Sequence, residues 1–239
     1  MSAGNSRSGA ERLLHVVDLG TMRYADALDY QREIARQRIA GELDQDLLLL
    51  VEHPPVVTLG RSSRQKNLVS SPEFLASRGV ELFEVERGGD VTFHGPGQLV
   101  GYPIIDLTRH KQDLHWYLRA VEDALIRSLG HFGIPAGRNT GFTGVWTRGR
   151  KIASIGVHAR DWVTWHGFAL NVTTDLSYFD LIVPCGIDGV VMTSLQKESG
   201  PDAPDMKLVE NAVSAAFADI FSLVPALFPA PAASAAVTA

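Results

Sequence analysis

A long amphipathic helix inside a strand-rich region is the feature that most limits how this chain folds. Aliphatic residues at three- and four-residue spacing predict a helix over Asp113–Phe132 with one buried face, which Gly133 can end. These residues are Leu114, Leu118, Val121, Leu125 and Leu129. Because strand patterns lie on both sides of it, we expect an α+β or α/β fold with a mixed, largely antiparallel sheet and flanking helices.

The remaining elements follow from shorter periodic runs. Further helices are predicted over Tyr24–Ile39, Pro72–Arg78 and Met206–Phe221. Strands are predicted over Leu47–Val51, Val56–Leu59, Val80–Val85, Thr92–Phe93, Val100–Ile105, Val145–Thr147, Lys151–Ala159 and Val163–Val172. The last three are expected to be antiparallel neighbours joined by tight loops.

Length and composition favour one domain. The 239 residues, 45% of them hydrophobic, suffice for one large core, expected over residues 11–224. Residues 1–10 and the alanine- and proline-rich residues 225–239 are expected to be mobile tails. No apolar stretch approaches the roughly 20 residues that cross a bilayer, and no signal-peptide pattern begins the chain, so we expect a cytoplasmic protein.

The charge distribution argues against nucleic acid as a partner. A net charge of −5 provides no basic field for a polyanion. Arg61, Arg64 and Lys66 form a local basic cluster. We interpret this cluster as a solvated loop, with a docking patch for an acidic partner as the alternative.

The only cysteine, Cys185, is a candidate nucleophile. It lies between Pro184, which stiffens the backbone, and Gly186, which leaves room for a substrate carbonyl or for unusual dihedral angles. A single cysteine forms no internal disulfide. The alternative is an inert buried thiol, because free cysteines are often buried and Ile182 and Val183 are apolar. The local sequence leaves both interpretations open.

A glycine-rich run, Arg87–Gln98, is predicted to line a pocket. Its four glycines in twelve residues destabilise regular structure, and close approach of backbone to a ligand is a common reason for such a run. The spacing matches neither glycine-rich nucleotide motif. Arg87 can bind an anion or form a surface ion pair, and His94 can carry protons or serve a structural role. Scattered histidines and a lone cysteine predict no metal site.

A third segment begins at Lys151. Ser154 and Gly156, on the same strand-like run, are too small to fill a core and so leave space for a ligand. A cysteine thiol is mostly protonated at neutral pH, and a nearby ammonium group enlarges the thiolate fraction. Lys151 is therefore one candidate to activate Cys185. The competing candidates, which sequence separation does not exclude, are His94, His158 and His166.

Four motifs occur in a fixed order between roughly Leu14 and Phe221. The pattern RGGxxTFHxxGQxxxY is met by Arg87-Gly88-Gly89, Thr92-Phe93-His94, Gly97-Gln98 and Tyr102, and KIASIGV, HGFALN and PCG follow it. Together they resemble the signature of the octanoyltransferases of lipoate assembly, also called lipoyl(octanoyl) transferases. Four ordered motifs are far more specific than any one of them, and no motif position departs from the pattern.

This resemblance implies a fold and a site. The fold would be that of the biotin and lipoate protein ligases, a mixed sheet with flanking helices around one acyl pocket. Cys185 would carry the acyl group as a thioester and Lys151 would activate it, with no metal and no cofactor. The implied substrate-site residues are Arg87, Gly88, Gly89, Asp90, Val91, Thr92, Phe93, His94, Ser154, Ile155, Gly156, Gly167, Phe168 and Ala169.

The resemblance also implies a reaction. An octanoyl group would pass from the phosphopantetheine arm of octanoyl-acyl carrier protein to a lysine of a lipoyl domain. The implied acceptors are the lipoyl domains of 2-oxoacid dehydrogenase complexes and the glycine cleavage H protein, with no nucleic acid or membrane involved. One alternative is an ATP-dependent lipoate protein ligase, which has no use for a cysteine nucleophile. The other is a non-catalytic protein that holds an acyl or lipoyl group.

Overall fold

The computed structural model describes residues 12–229, which build two β-sheets and the helices that cover them. The helices are α1 (Tyr24–Ile39), α2 (Pro72–Ser77), α3 (Leu114–His131), α4 (Leu195–Ser199) and α5 (Met206–Ile220). The strands are β1 (Leu13–Thr21), β2 (Asp46–Glu52), β3 (Val56–Leu59), β4 (Glu81–Glu84), β5 (Val91–His94), β6 (Gln98–Ile104), β7 (Gly137–Asn139), β8 (Phe142–Thr147), β9 (Arg150–Arg160), β10 (Val163–Asn171) and β11 (Val224–Leu227). No helix in this part of the chain is both long enough and apolar enough to span a membrane.

The large sheet is mixed and mostly antiparallel. Its eight strands run in the order β11-β1-β2-β6-β10-β9-β8-β7. Only β1 pairs in parallel, with β11 on one side and β2 on the other. The remaining pairs are antiparallel, as the sequence predicts for β8, β9 and β10. The predicted fold class, a mixed and largely antiparallel sheet with flanking helices, is confirmed.

Helices cover both faces of the large sheet, which explains the continuous apolar run of β2. Leu48 and Leu50 join the core beneath α3 and α5, to which α3 contributes Val121, Leu125 and Leu129 of its predicted stripe. Leu114 of that stripe is exposed instead, because it lies at the first position of the helix. Leu47 and Leu49 point to the opposite face and join the core beneath α1. A strand buried on both faces needs apolar residues at every position, so its sequence does not alternate.

The small sheet has three strands, and one of them, β5, is part of the glycine-rich run. Its order is β4-β3-β5, with β3 parallel to β4 and antiparallel to β5. The helix α2 begins after Ser71, whose side chain caps it by accepting a hydrogen bond from the Phe74 N–H. The run Arg87–Gln98 follows β4, forms β5 of this sheet and enters β6 of the large sheet at Gln98. It therefore bridges the two sheets.

The predicted helices and strands are present, with bounds that differ by at most three residues. Four elements have no predicted counterpart: β1, β7, α4 and β11. The strand β11 corrects the domain boundary predicted after residue 224, because Val224–Leu227 pairs with β1 inside the sheet. The predicted tail at residues 1–10, and residues 230–239 of the other, lie outside the described residues.

A glycine pairs with a large aromatic residue at the centre of the large sheet. Gly101 of β6 lies opposite Phe168 of β10, and a Cβ at Gly101 would overlap the phenyl ring. Phe168 is buried and stacks on Phe217 of α5, with ring centroids 5.4 Å apart. Because Gly101 has no side chain, the phenyl ring of Phe168 can lie against β6 and still stack on Phe217 of α5.

We predict that Gly101→Ala lowers the free energy of unfolding by about 1–3 kcal/mol, because Phe168 must move within a packed core. Gly137→Ala is the matched control, since a Cβ there has no heavy atom within 4 Å. Urea unfolding measures both variants. Equal stability of Gly101→Ala and Gly137→Ala would contradict this account of the Gly101–Phe168 pair.

A buried histidine stands where the chain passes from the large sheet to the small one. His53 Nδ1 lies 2.7 Å from the Met22 carbonyl oxygen, which can only accept, so Nδ1 carries the proton. Nε2 then accepts from the Tyr102 hydroxyl at 2.7 Å. Burial lowers the pKa of His53 to about 4, because the charged ring would lose its hydration.

We predict that His53 makes the protein acid-sensitive. An unfolded histidine has a pKa of about 6.5, so below that pH the unfolded chain binds a proton that the native protein does not. Stability therefore falls as the pH drops from about 6.5 to about 4, by about 3 kcal/mol in total. Between pH 7 and pH 5, urea unfolding should show a smaller loss for His53→Gln than for the native protein. Equal losses of stability in His53→Gln and the native protein would rule out His53 as the source of the acid sensitivity.

Candidate active site

A cavity of about 280 Å³ lies between the two sheets. One wall is formed by β9 and β10 of the large sheet, and another by the glycine-rich run, including β5. The turn Pro184–Gly186 closes the cavity and carries the only cysteine. Residues from all three predicted segments therefore meet at one place.

Cys185 occupies a strained turn at the cavity surface. Its φ of 57° lies in the left-handed region, which L-residues other than glycine rarely adopt, and Gly186 follows with φ 65°. The Gly186 and Ile187 N–H groups donate to Val183 and Pro184 carbonyls, which closes the turn. The Cys185 N–H has no acceptor among residues 12–229. The turn thus carries a thiol at the cavity and an amide N–H that makes no hydrogen bond within the described residues.

Lys151 is the partner of the thiol. Its side chain is fully buried, and Nζ lies 3.1 Å from Cys185 Sγ. Ser154 Oγ, at 3.6 Å, is the other polar side-chain atom near the sulfur. Within the described residues no carboxylate forms a salt bridge with Lys151. Of the four candidates that the sequence left open for activating Cys185, the structure places Lys151 alone against the sulfur.

The local fold explains how a lysine reaches this position. The Lys151 N–H donates to Val191 O, and its carbonyl accepts from Thr193 N–H, so the chain that follows the Cys185 turn is fixed to β9. A Cβ at Gly144 would lie 2.8 Å from Lys151 Cε, so β8 leaves room for the lysine chain only with glycine there. The indole ring of Trp146 lies 5.5 Å from Nζ and supports the cation.

The histidines near the cavity bind other groups. His94 Nδ1 lies 2.8 Å from Gln98 Oε1, while Gln98 Nε2 donates to Asn171 Oδ1 at 2.9 Å. Burial lowers the pKa of His94 to about 3 and also lowers the pKa of His166. Both rings are therefore neutral at neutral pH, and His166 Nε2 lies 3.6 Å from Glu86 Oε1. His158 contacts the Glu86 carbonyl oxygen instead of the sulfur.

Arg87 is buried in the cavity wall, so the surface ion pair considered from the sequence is excluded. Its guanidinium donates to the Thr58 carbonyl and hydroxyl oxygens and to the Gly88 carbonyl. Burial lowers its pKa, and no carboxylate among residues 12–229 pairs with it. Its Nε, like Thr92 Oγ1, is buried without a hydrogen-bond partner. Arg87 therefore brings positive charge to the site.

The structure divides the residues that the family resemblance implies. Those that line the cavity are Arg87, Gly89, Asp90, Thr92, His94, Ser154, Ile155, Gly156, Gly167, Phe168 and Ala169, together with Lys151 and Cys185. Gly88, Val91 and Phe93 do not line it. Successive side chains of a strand point to opposite faces, so Val91 and Phe93 pack into the core of the small sheet. Gly88 instead donates its N–H to Val157 O.

Other lining residues were absent from the implied set. They are Tyr24, Val100, Tyr102, Gly141, Phe142, Thr143, His166, Gly186 and Ile187. Tyr102 belongs to the glycine-rich pattern and His166 precedes the implied Gly167, so proximity to a motif is the signal that points to them. No local signal marks Tyr24 or Phe142. Across residues 12–229, no three His, Cys, Asp or Glu side chains group as metal ligands.

The chain matches known proteins over most of its length. Residues 23–218 match the lipoyl protein ligase A/B catalytic domain. An octanoyltransferase of Koribacter versatilis is 55% identical over 193 residues, 79% of this chain and 76% of that relative. An octanoyltransferase of Chloroflexus aggregans is 48% identical over 217 residues, 90% of this chain and 97% of that relative.

A solved structure shares the fold at low sequence identity. It is the bi-partite lipoate protein ligase of Thermoplasma acidophilum, with a TM-score of 0.74 and 17% identity, covering 92% of this chain and 88% of that one. Fold likeness alone does not separate a ligase from a transferase, but the relatives that match at about half identity are octanoyltransferases. The chain therefore belongs to the octanoyltransferases, within the lipoyl protein ligase A/B catalytic domain family.

Proposed function

We propose that this enzyme transfers the octanoyl group through a thioester on Cys185, with Lys151 as the acid–base partner. The observation that carries the proposal is the 3.1 Å contact between Lys151 Nζ and Cys185 Sγ. A thiolate is the nucleophilic form of cysteine, and an adjacent ammonium group stabilises it. The pair lies in a cavity that is also lined by polar side chains, among them Arg87 and Asp90, and by apolar ones such as Phe142 and Phe168.

In the first half-reaction, the Cys185 proton passes to Lys151, and the thiolate attacks the thioester carbonyl of the donor. The new S–C bond gives a tetrahedral intermediate, which then expels the donor sulfur. That sulfur takes the proton back from Lys151 and leaves as a thiol, and Cys185 remains as the octanoyl thioester. The donor in this proposal is octanoyl-acyl carrier protein, whose phosphopantetheine arm ends in a thioester.

The free Cys185 N–H is the oxyanion donor in this scheme. It lies on the residue whose sulfur bonds to the reacting carbonyl, and it has no other acceptor within the described part of the chain. An unpaired amide in a fixed turn stabilises negative charge without reorganisation, and such a donor is worth about 3 kcal/mol in other enzymes. The left-handed conformation of Cys185 supports this assignment, because it leaves the amide outside the hydrogen bonds that close the turn.

In the second half-reaction, a lysine amine of a lipoyl domain attacks the acyl-enzyme. The C–N bond forms, the surplus amine proton passes to neutral Lys151, and the Cys185 thiolate leaves. This step leaves Cys185 as the thiolate and Lys151 as the ammonium ion, which is the state that attacks the next donor, so protons balance over one cycle. The fold shared with a lipoate protein ligase that was analysed with its E2 lipoyl domain supports a lipoyl domain as the acceptor. In this proposal the 2-oxoacid dehydrogenase complexes and the glycine cleavage H protein supply those domains.

The ATP-dependent ligase is the competing activity. It activates a free acid as an acyl-adenylate, so it gains nothing from a cysteine held beside a buried lysine. A thioester donor already carries the activation free energy, and the transfer then needs no cofactor. A nucleophilic thiol must also remain reduced, which places the proposed reaction in a reducing compartment such as the cytoplasm.

Intact mass spectrometry tests the acyl-enzyme. Incubation with octanoyl-acyl carrier protein, without ATP, should add one octanoyl group to the native protein. Cys185→Ser should lower the transfer rate by at least about a thousandfold with the fold retained, because an alcohol ionises far less readily than a thiol. An adduct on Cys185→Ser, or one that forms only with octanoate and ATP, would contradict the proposal.

Two substitutions separate the roles of Lys151. Lys151→Met removes the charge and should move the pH profile of Cys185 alkylation to higher pH. Lys151→Arg keeps a charge but does not deprotonate at working pH, so acylation should persist in part while transfer to a lipoyl lysine falls by about a hundredfold or more.

Lys66→Met is the matched control for Lys151, because Lys66 is exposed and forms no salt bridge within the described residues. Its alkylation profile and both half-reactions should equal those of the native protein. An unchanged alkylation profile in Lys151→Met would assign activation of Cys185 to another group.

A further inference from the structure

The left-handed turn at Cys185 requires support from its surroundings. A non-glycine residue at φ 57° is disfavoured and persists only where neighbouring contacts hold it. The bonds inside the turn run from Gly186 to Val183 and from Ile187 to Pro184, so they do not attach it to the rest of the molecule. The attachment comes from elsewhere in the fold.

Asn67 and Asp90 support the turn at both ends. The Val183 N–H donates to the Asn67 carbonyl oxygen at 2.8 Å, which fixes the chain before Cys185. Gly186, directly after Cys185, packs on the two side chains. A Cβ there would overlap Asp90 Oδ2 and lie 2.9 Å from Asn67 Nδ2. The nucleophile thus lies between a contact with the Asn67 backbone before it and a contact with the Asn67–Asp90 side-chain pair after it.

The pair is itself fixed by hydrogen bonds. Asn67 is buried, and its Nδ2 donates to Asp90 Oδ2 at 2.6 Å. Asp90 Oδ1 accepts from the Val91 N–H at 2.7 Å, which ties the pair to β5. Both carboxylate oxygens are therefore engaged within the protein. Asp90 lines the cavity, and both of its hydrogen bonds are made with protein groups, Asn67 Nδ2 and the Val91 N–H.

We propose that Asn67 and Asp90 are positioning residues for the nucleophile: their hydrogen-bonded side chains hold the Cys185 turn so that Sγ meets Lys151. The expected effect on acyl transfer rests on the proposed function, whereas the positioning role itself does not. Asn67 has a second function in the arrangement. Its side-chain N–H donates a hydrogen bond to the Asp90 carboxylate. This bond stabilises a negative charge that lies in the same cavity as the sulfur. The charged side chains that share the cavity with Asp90 are Arg87 and Lys151.

The test exchanges donor and acceptor. Asn67→Asp keeps the shape but sets a second carboxylate against Asp90, so it should slow acyl-enzyme formation by about tenfold. It should also move the pH midpoint of Cys185 alkylation up by about one unit, since added negative charge disfavours the thiolate. The double variant Asn67→Asp/Asp90→Asn restores one donor, one acceptor and the net charge. Both measurements should return to within about threefold of native.

Asn139→Asp is the matched control. It makes the same charge change at an exposed position of β7 and should leave both measurements unchanged. Melting temperatures are recorded for every variant. The inference is overturned if folded Asn67→Asp keeps the native alkylation profile, if the double variant is as impaired as the single one, or if activity falls only in proportion to the folded fraction.

The alkylation profile needs no acyl substrate, so it tests the positioning pair independently of the proposed function. If the native protein forms no octanoyl adduct, the proposed function fails, while the profile of Asn67→Asp still decides the role of the pair. If the adduct forms and the profile of Asn67→Asp does not move, the positioning role fails alone.

Discussion

The contact between a buried ammonium group and a thiol is the interaction around which this site is organised. Burying a lysine is costly unless a partner compensates for its lost hydration. Lys151 has no carboxylate partner within residues 12–229, and its ammonium nitrogen lies 3.1 Å from Cys185 Sγ, so in the proposed mechanism the thiolate form of the cysteine provides the compensating charge. The Trp146 ring adds support for the same cation. The chemistry of the thiol and the stability of the buried lysine therefore depend on each other.

Two sheets are needed to make this contact, because its members come from different layers. Lys151 is on β9 of the large sheet, whereas the turn that carries Cys185 packs on Asn67 and Asp90 beside the small sheet. The glycine-rich run bridges the layers, and its Arg87 donates to Thr58 of β3. The cavity is the gap between the layers, and small residues such as Ser154, Gly156 and Gly167 in its wall leave space that larger side chains would fill.

The spacing of apolar residues predicted most of the fold, because a buried face requires apolar residues at regular intervals in the sequence. The run of β2 is apolar throughout since helices cover both faces, and the stripe of α3 has one buried side. The unpredicted β7 and β11 are short strands at the two edges of the large sheet, where pairing with a neighbour defines the strand and a local pattern is weak. For the same reason the boundary expected after residue 224 falls within β11.

The sequence by itself determined the chemistry available: one thiol, a lysine in a run with small residues, a glycine-rich loop, and four ordered motifs that resemble one family. Tertiary structure decided which groups meet. Four side chains were equal candidates to activate Cys185, and strand pairing placed Lys151 against the sulfur while His94 bonds to Gln98 and His158 to Glu86. It also turned Val91 and Phe93 away from the cavity and brought Asn67 beneath the turn. Apart from His94–Gln98, these contacts join residues far apart in the chain, and their geometry depends on strand register and layer packing, which no local pattern contains.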